Sequence, residues 1–283
     1  MKNIGFQGVR GAYSESAAFE FFGGDIETCP CESFEGVFDG VESGALDIGI
    51  IPIENSLAGS IRVNYDLLQE RNVWIVNEHK FRVEHNLLVM DEAELEDLQE
   101  IYSHPQALAQ CARFIKSISR SNPVPYFDTA GSALLVAQSG DKSRGAIACK
   151  RAAEEYGLKV LLEGVEDNEE NYTRFLMIIR NNLSHNKKQR LAAGENLKTS
   201  IVFSLKNIPG CLYKCLSIFA IRDIDLLKIE SRPLPGSPWQ YAFYIDFRGS
   251  SLDGPGQKAL GHLQEITEFS MVLGTYPEAL GGE

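Results

Sequence analysis

The chain has 283 residues, of which 44% are hydrophobic and 23% are charged, a composition that can bury a sizeable core and a length that suits two domains. Its net charge of −12 argues against a general affinity for nucleic acid or for an anionic membrane surface. No apolar run is long enough for a membrane span, and the first residues, 1–7, are typical of a β-strand rather than of a signal peptide.

The cysteines form no Cys-x-x-Cys pair and have no matching set of histidines nearby, so their spacing does not favour zinc ligation. We expect no metal site, and reduced thiols that pack as small apolar side chains in a cytoplasmic protein. The six cysteines are Cys29, Cys31, Cys111, Cys149, Cys211 and Cys215.

Short strands alternate with helices through the first part of the chain. Ser14, Ser33 and Thr129 are predicted helix N-caps, and Pro52 is predicted to end the strand before it. The alternation indicates an α/β fold with largely parallel sheets. Strands are predicted at 4–7, 46–51, 73–76 and 146–149, and helices at 62–71, 106–116, 130–138 and 151–156.

The segment Asn171-Tyr-Thr-Arg-Phe175 lies between an acidic loop at 166–170 and an apolar run that predicts a buried strand. Alternation along an extended chain places Asn171 and Thr173 on one face and Arg174 on the other. A hydroxyl and a fixed cation at the end of a core strand can hold a carboxylate and a leaving oxygen. This segment is therefore the first candidate for a functional site.

Two other segments stand where a ligand can bind. Asn55 and Ser56 follow a predicted core strand, and ligands of open α/β sheets bind beyond the carboxyl ends of strands, so 52–56 is either a binding loop or a structural turn. Tyr13 and Ser14 follow a glycine turn at the start of a helix, a place suited to an anion or to a plain strand–turn–helix connection. The turn lacks the glycine pattern of nucleotide sites.

His104, Pro105 and Gln106 precede a predicted helix. A histidine in this place is either a general acid or, more commonly, a capping or core residue. No Ser-His-Asp arrangement is evident in the chain.

A polar segment at 181–198 has no apolar period and is predicted to be a linker. Beyond it, strands are predicted at 199–205, 226–232, 241–247 and 271–276, a turn at 234–238, and helices after Pro209 and at 258–269. The order βαββαβ is that of a ferredoxin-like unit. Such a unit behind an enzyme-sized α/β body is more often regulatory than catalytic.

Several motifs together resemble the prephenate dehydratase family, in the same order along the chain. The stretch 199–276 resembles the C-terminal ACT domain of that family, and 209–216 and 230–233 match its segments tied to phenylalanine feedback. Five ordered motifs and a matching second domain make the resemblance specific, and it covers nearly the whole chain. The five motifs lie at 8–15, 51–56, 104–111, 128–130 and 171–175.

The resemblance implies that the chain converts prephenate to phenylpyruvate, water and carbon dioxide without a metal or organic cofactor. It implies a catalytic domain at 1–183, built like a periplasmic binding protein from two subdomains, about 1–78 plus 171–183, and 79–170. A linker at 184–198 and an ACT domain at 199–283 would follow.

By the same resemblance, Thr173 is the catalytic residue, a donor to the leaving oxygen. Arg174 would pair with a substrate carboxylate, and its alternative partner is the acidic loop at 166–170. The substrate-binding residues implied are Tyr13, Ser14, Asn55, Ser56, Gln106, Thr129, Asn171 and Arg174.

In ACT domains phenylalanine lies at the interface of two paired modules, so the resemblance implies an oligomer, a dimer or a tetramer. Cys211 stands where the family commonly has a small alanine. Without the family, 230–233 would be a charged strand end. The implied phenylalanine-binding residues are Asn207, Pro209, Gly210, Cys211, Leu212, Glu230, Ser231, Arg232 and Pro233.

Two rival functions stay open. Arogenate dehydratase performs the same chemistry on the aminated substrate, and no residue separates the two from sequence. A non-catalytic amino-acid-sensing protein built on a periplasmic-binding-protein body is the other, and the intact Thr173 argues against it. We expect small-molecule partners and self-association, but neither nucleic acid nor membrane.

Overall fold

A computed structural model describes residues 1–118, 120–192, 194, 196–234, 239–252 and 254–279. Within them the chain forms two compact units. The first unit comprises Met1–Val37, Gly49–Ile61 and Lys80–Phe175, and the second comprises Phe38–Ile48, Arg62–His79 and the chain from Leu176 onward. Most of the predicted turn at 234–238 lies outside the described residues.

Helices and strands alternate along the described chain, which confirms the predicted α/β class. The strands are β1 (Lys2–Gln7), β2 (Ile26–Cys31), β3 (Ile48–Asn55), β4 (Gly59–Ser60), β5 (Val73–Arg82), β6 (Asn86–Val89), β7 (Glu100–Ser103), β8 (Asn122–Pro125), β9 (Arg144–Ala148), β10 (Lys159–Leu162), β11 (Tyr172–Arg180), β12 (Leu197–Ser204), β13 (Leu226–Pro233), β14 (Tyr241–Arg248) and β15 (Phe269–Pro277). The α-helices are α1 (Tyr13–Phe22), α2 (Phe34–Ser43), α3 (Arg62–Glu70), α4 (Pro105–Gln110), α5 (Ala112–Ser117), α6 (Thr129–Ser139), α7 (Lys150–Tyr156), α8 (His185–Leu191), α9 (Cys211–Ala220) and α10 (Gly254–Ile266).

The first unit contains a five-stranded sheet in the order β10-β6-β9-β7-β8. Strands joined through helices, β7 to β8 and β8 to β9, fit the parallel pairing of β7 with both neighbours. By contrast, β6 follows β5 without a helix between them and pairs antiparallel with β9 and β10. The expectation of largely parallel sheets is therefore wrong for this sheet, which is mixed.

Alternate residues of β6 supply cores on the two faces of that sheet. Leu87 and Val89 pack with Ile101, Ile115 and other apolar residues on one face. Leu88 packs with small residues of α6 and α7 on the other face. This division follows from the two-residue period of a strand, in which successive side chains point to opposite faces. Because both faces of the sheet are covered, every residue of 86–89 is buried.

The second unit contains the antiparallel strands β13-β14-β12-β15, with β5 added in parallel to β15 at Gly274 and Ile75. Its core packs α9 and α10 against the sheet, and includes the fully buried side chains of Phe203, Phe219 and Phe247. The order β12-α9-β13-β14-α10-β15 confirms the predicted βαββαβ succession.

The segment predicted as a linker carries regular structure at both ends. Helix α8 occupies 185–191, and β12 begins at Leu197, within the predicted linker. Ser184 caps α8, since its hydroxyl accepts a hydrogen bond from the backbone N–H of Lys187. The predicted domain boundaries themselves stay a prediction.

Candidate functional site

Thr173 lies at the centre of a buried group of polar side chains in the first unit. The Asn55 amide nitrogen donates to Thr173 Oγ1 over 3.1 Å and to Asn171 Oδ1 over 2.8 Å. Asn171 is fully buried and Thr173 is 8% exposed. The alternation along β11 therefore places Asn171 and Thr173 on one face, as the sequence predicts.

Asn55 is itself held firmly at the end of β3. Its side-chain oxygen accepts hydrogen bonds from the backbone N–H groups of Leu57 and Ala58, at 3.1 and 2.9 Å. This local turn is typical of asparagine. It leaves the Asn55 NH₂ group to face Thr173, so the amide can act only as a donor toward that hydroxyl.

Ser56 joins the chain after β3 to the start of β11. Its backbone N–H donates to the carbonyl of Tyr172 at 2.8 Å, and its hydroxyl lies 3.0 Å from both the Tyr172 nitrogen and the Glu170 carbonyl oxygen. The hydroxyl accepts from the first and donates to the second. Ser56 thus fixes the position of Thr173 through the backbone.

A second chain of hydrogen bonds leads from Asn171 to Tyr13. Asn171 Nδ2 donates to Gln110 Oε1 at 3.2 Å, and the same oxygen lies 2.9 Å from His85 Nε2. His85 Nδ1 lies 2.6 Å from the Tyr13 hydroxyl. Five side chains in addition to Thr173 therefore form one connected network.

Burial keeps the titratable members of this network neutral. It lowers the pKa of His85, an effect only partly opposed by the Gln110 hydrogen bond and the charge of Glu166. Burial also raises the pKa of Tyr13 well above its ordinary value, and the neighbouring thiols and carboxylates add to the shift. At neutral pH the imidazole and the phenol are both uncharged.

A cavity of about 290 Å³ opens onto Thr173. Its described lining contains neither lysine nor arginine, and Asp128 is the one carboxylate in it. Six of the nine predicted catalytic and substrate-binding side chains line it: Tyr13, Ser14, Asn55, Gln106, Thr129 and Thr173.

Two helices of ten or more residues begin at the cavity. Tyr13 and Ser14 form the first turn of α1, and Thr129 forms the first turn of α6. The exposed backbone N–H groups and the dipole at a helix N-terminus favour an anion. The start of α1 can therefore attract a negatively charged ligand although no described cationic side chain lines the cavity, whereas at α6 the Asp128 carboxylate already accepts from the Gly131 N–H.

The start of α1 is fixed by Glu15, which is fully buried. Its carboxylate accepts from the backbone N–H of Gly11 and from the Thr28 hydroxyl, each at 2.6 Å, and pairs with Arg151 at 3.1 Å. Gly11 has φ +79°, and an added Cβ would lie 2.8 Å from the backbone of Ala152. The glycine turn thus serves close packing as well as the helix start.

Three predicted residues are absent from the described lining of the cavity: Ser56, Asn171 and Arg174. The first two act on Thr173 through the contacts described above. Arg174 is half-buried on the opposite side of β11 from Thr173, as alternation requires. Its predicted pairing with a substrate carboxylate stays a prediction.

His85, Gln110 and Asp128 also line the cavity and were not predicted as site residues. His85 lies in 81–90, where polar and apolar residues alternate only weakly, and Gln110 lies in the predicted helix at 106–116, so a single polar residue in either place carries no signal of a site. Asp128 caps α6, since its carboxylate accepts from the backbone N–H of Gly131, so Thr129 is not the cap as predicted. His104 caps α4 by accepting from the backbone N–H of Gln106 at 3.2 Å, and it also lines the cavity.

The model of the prephenate dehydratase family matches residues 4–183, more than half of the chain. The chain belongs to the prephenate dehydratase family. The resemblance read from the sequence and the predicted enzyme class, a prephenate or arogenate dehydratase, are thereby confirmed.

Relatives of this family match over nearly the full chain. Arogenate dehydratase/prephenate dehydratase 2, chloroplastic, of Arabidopsis thaliana is 44% identical over 97% of this chain and 72% of that protein. A solved prephenate dehydratase from Arthrobacter aurescens, in complex with L-Phe, is 29% identical with a TM-score of 0.85, over 98% of this chain and 90% of that one. GqqA, described as a novel type of quorum quenching acylase, is 35% identical with a TM-score of 0.90, over 98% of both chains.

The predicted phenylalanine-binding residues lie in two segments of the second unit. Asn207, Pro209, Gly210, Cys211 and Leu212 form the loop before α9 and its first turn, and Glu230, Ser231, Arg232 and Pro233 end β13. The Asn207 amide donates to the carbonyl of Trp239, beside the start of β14, at 3.4 Å. Because β14 pairs with the end of β13, the loop reaches the hairpin that carries the second segment.

Arg232 makes a two-pronged ion pair with Asp66 of α3. Its Nε lies 3.2 Å from Asp66 Oδ1, and its Nη2 contacts the other carboxylate oxygen at 2.5 Å. Tyr244 of the neighbouring strand donates to the Tyr65 carbonyl at 3.0 Å. The predicted regulatory segment is therefore tied to α3 within the second unit.

All six cysteines are free thiols. The described residues contain no group of three or more His, Cys, Asp or Glu side chains placed to hold a metal ion. In the part of the chain that the structure describes, no helix is long and apolar enough to cross a membrane.

Proposed function

We propose that the chain converts prephenate to phenylpyruvate, with loss of water and carbon dioxide, and that Thr173 assists departure of the ring hydroxyl. The observation that carries this is the direction of the Thr173 hydrogen bonds. Its oxygen accepts from Asn55, and none of the described residues accepts its proton. The O–H is therefore available to a ligand in the cavity.

The chemistry requires little more than a placed donor. The bond from the ring to its carboxylate breaks, its electron pair enters the ring, and carbon dioxide leaves. The ring C–O bond breaks with its own electron pair, and the departing hydroxide takes one proton to become water. Aromatisation drives the reaction, so a hydrogen bond to the leaving oxygen that strengthens as charge develops lowers the barrier.

Threonine is too weak an acid to supply a free proton at neutral pH. We infer that Thr173 donates a hydrogen bond to the leaving oxygen, passes its proton to the departing hydroxide, and regains a proton from solvent. Asn55 supports this role because its amide donates to Thr173 Oγ1. The Thr173 hydroxyl proton is then directed to the ligand and not to Asn55. Asn171 fixes the Asn55 amide in turn.

The two carboxylates of prephenate suit a cavity that two helix N-termini face. We propose that Ser14 and Thr129 hold one carboxylate or both, with Tyr13 and Gln106 placed along the same lining. Arg174 would then act outside the cavity, through the backbone of β11. Neither a metal nor an organic cofactor takes part in the proposed reaction.

Arogenate is the alternative substrate, and one observation favours it. Arogenate carries an ammonium group where prephenate has a keto oxygen, and the Asp128 carboxylate lines the cavity. The relatives in Arabidopsis and Petunia hybrida bear the name arogenate dehydratase, alone or with prephenate dehydratase. A carboxylate near the amino group would stabilise arogenate over prephenate.

The deciding experiment incubates the purified chain with prephenate and, separately, with arogenate, and follows phenylpyruvate and phenylalanine by chromatography. Turnover of either substrate supports the proposed reaction, and the ratio of kcat/KM values assigns the preference. Turnover of neither by folded protein would overturn the proposal and favour a ligand-sensing role.

We further propose that the second unit ends in an ACT domain that binds L-phenylalanine and reduces activity. The βαββαβ order supports this, as does the family relative from Arthrobacter aurescens that was solved with L-Phe. Asn207 and the backbone of 209–212 would hold the amino acid, with Leu212 against its ring. Inhibition and a measurable heat of binding at millimolar phenylalanine test this, and the absence of both would refute it.

Pairing of such domains implies a dimer or a tetramer, which light scattering on the purified protein would measure. A cytoplasmic location is likewise a proposal. It is supported by the six free thiols, which fit a reducing compartment.

A further inference from the structure

His85 is buried in the first unit, 2% exposed, yet it lines the cavity beside Thr173. Both ring nitrogens are engaged, Nε2 with Gln110 Oε1 at 2.9 Å and Nδ1 with the Tyr13 hydroxyl at 2.6 Å. Its backbone N–H donates to Glu166 at 2.9 Å, which fixes the ring from the main chain. The proposed reaction above gives this histidine no task.

The direction of each hydrogen bond follows from Gln110. Its Oε1 already accepts from Asn171 Nδ2 at 3.2 Å, so it is an acceptor toward His85 as well. His85 therefore carries its proton on Nε2, and a neutral ring then accepts at Nδ1 from Tyr13. Tyr13 has a second acceptor within reach, the Glu84 carbonyl at 3.0 Å.

We propose that His85 is a positioning residue for the dehydration. Its Nε2–H holds Gln110, which holds Asn171, which orients the Asn55 amide that bonds Thr173. The expected loss of kcat rests on the proposed function. The chain of hydrogen bonds from His85 to Thr173 rests on geometry alone. A displacement of about 1 Å at a catalytic group can lower turnover about 10²-fold, so a four-step chain of fixed contacts is consequential.

Two amide substitutions separate the two ring nitrogens. In His85→Gln the side-chain NH₂ group reaches the place of Nε2, so the donor to Gln110 is kept and the acceptor for Tyr13 is lost. In His85→Asn the amide reaches only the place of Nδ1, so the acceptor for Tyr13 is kept and the donor to Gln110 is lost. Tyr13 retains the Glu84 carbonyl in either variant.

We expect His85→Asn to lower kcat about 10²-fold with KM changed less than about 3-fold, because Thr173 acts on the leaving oxygen in the transition state. His85→Gln should stay within about 5-fold of the parent kcat. A folded His85→Asn with parental kcat would overturn the proposal. So would equal losses in both variants, since that outcome means packing rather than the Nε2–H matters.

Ser121→Ala is the matched control for loss of a buried hydrogen bond. The Ser121 hydroxyl donates to the Leu98 carbonyl at 2.9 Å and has no link to the network. It should lower stability without changing kcat per folded molecule. Thermal melts of every variant establish the folded fraction at the assay temperature.

Gln110→Met carries the test if His85→Asn does not fold. It removes the middle link at nearly constant volume, and we expect the same kcat loss as for His85→Asn. A Gln110→Met enzyme with parental kcat would refute the proposed connection. Where all variants fold, the double variant His85→Asn/Gln110→Met should lose no more kcat than either single variant.

A readout without substrate keeps this inference separate from the proposed function. The ¹³C methyl resonance of Thr173, assigned by its loss in Thr173→Ser, should move in His85→Asn and Gln110→Met but not in His85→Gln or Ser121→Ala. If the parent protein turns over neither prephenate nor arogenate, the proposed function fails. The methyl shifts still decide the link, and an unmoved Thr173 methyl in His85→Asn would overturn it.

Discussion

At the scale of single residues, the site works by restricting what each polar atom can do. Asn55 can only donate to Thr173, because its oxygen is taken by the backbone of Leu57 and Ala58. Thr173 can then only offer its proton to the cavity. A weak donor becomes useful when its direction is fixed in advance, since no reorganisation is needed as charge develops.

Removal of the Thr173 hydroxyl should lower kcat far more than it changes KM. We expect Thr173→Ala to lose about 10²–10³-fold in kcat, the loss typical of one donor to a developing oxyanion, with KM within about 3-fold. Steady-state kinetics on the preferred substrate measure both constants. Thr173→Ser, which keeps the hydroxyl, is the control, and a Thr173→Ala enzyme with near-parental kcat would show that another group assists the leaving oxygen.

His85 should also make stability depend on pH. Its folded-state pKa is lowered from 6.5, so below pH 6.5 the unfolded chain binds its proton first and protonation favours unfolding. Glu166, whose carboxylate accepts the His85 backbone N–H, and the Gln110 hydrogen bond oppose this shift only in part, and Tyr13 has a raised pKa and stays neutral. The stability that neutral His85 contributes is present above pH 6.5 and is lost as pH falls below it.

Urea unfolding of the parent and His85→Gln at pH 7.5 and pH 5.5 measures this effect. The parent should lose more stability between the two pH values, by up to about 1.4 kcal/mol for each pH unit that lies between the folded and unfolded pKa values. Other titrating groups are common to both proteins and cancel in the difference. Equal losses would mean that His85 has an ordinary pKa in the folded state.

At the scale of secondary-structure elements, a helix cap was predicted correctly where residues close in sequence determine the start of the helix. Ser33 was predicted to cap a helix, and its hydroxyl accepts from the backbone N–H of Gly36 at 3.2 Å at the start of α2. Ser14 was predicted as a cap too, but α1 begins one residue earlier at Tyr13. There the buried Glu15 bonds the Gly11 N–H, and this long-range cluster overrides the serine.

Substitution of Ser33 tests whether this residue caps α2. Ser33→Ala should lower the free energy of unfolding by about 1 kcal/mol through loss of the bond to Gly36, while kcat stays at the parent value. Ser33→Asp, which keeps an acceptor, should stay near the parent. Chemical unfolding compares the three proteins, and an unchanged Ser33→Ala would show that solvent replaces the cap without cost.

Two element boundaries depended on contacts that no local signal shows. Pro52 does not end β3, which runs to Asn55, because Glu54 and Asn55 pair with β4 beyond the proline. The helix predicted at 106–116 is broken at Cys111, because the Gln110 carbonyl accepts from the Asp167 N–H at 2.7 Å instead of continuing the helix. Gln110 is the last residue of α4, and its side-chain oxygen lies 2.9 Å from His85 Nε2.

At the scale of the whole molecule, the ordered motifs identified the family and most of the cavity lining, because residues of one site recur in one order along the chain. The network behind Thr173 was not predictable, since His85 and Gln110 are distant in sequence. His85 lies in the connection between β5 and β6, and Gln110 is the last residue of α4. Contacts within each unit, not spacing, bring them together.

The Arg232–Asp66 ion pair leads to a prediction about regulation. Arg232 belongs to the segment proposed to bind phenylalanine, and Asp66 holds its guanidinium through two contacts in the second unit. The pair also raises the pKa of Arg232. Two-pronged pairing fixes the guanidinium plane, and with it the end of β13.

Asp66→Asn should therefore weaken the response to phenylalanine about 5-fold, while kcat without phenylalanine stays within about 2-fold of the parent value. The reason is that Arg232 loses its fixed orientation, so phenylalanine binding must also order the end of β13. Inhibition curves and calorimetry on the intact protein measure the two quantities separately. Glu70→Gln, at the end of the same helix, is the control for a lost carboxylate on α3. An Asp66→Asn protein with parental phenylalanine affinity would place Arg232 outside the regulatory site, and one with lost basal activity would make the pair a support of the catalytic unit instead.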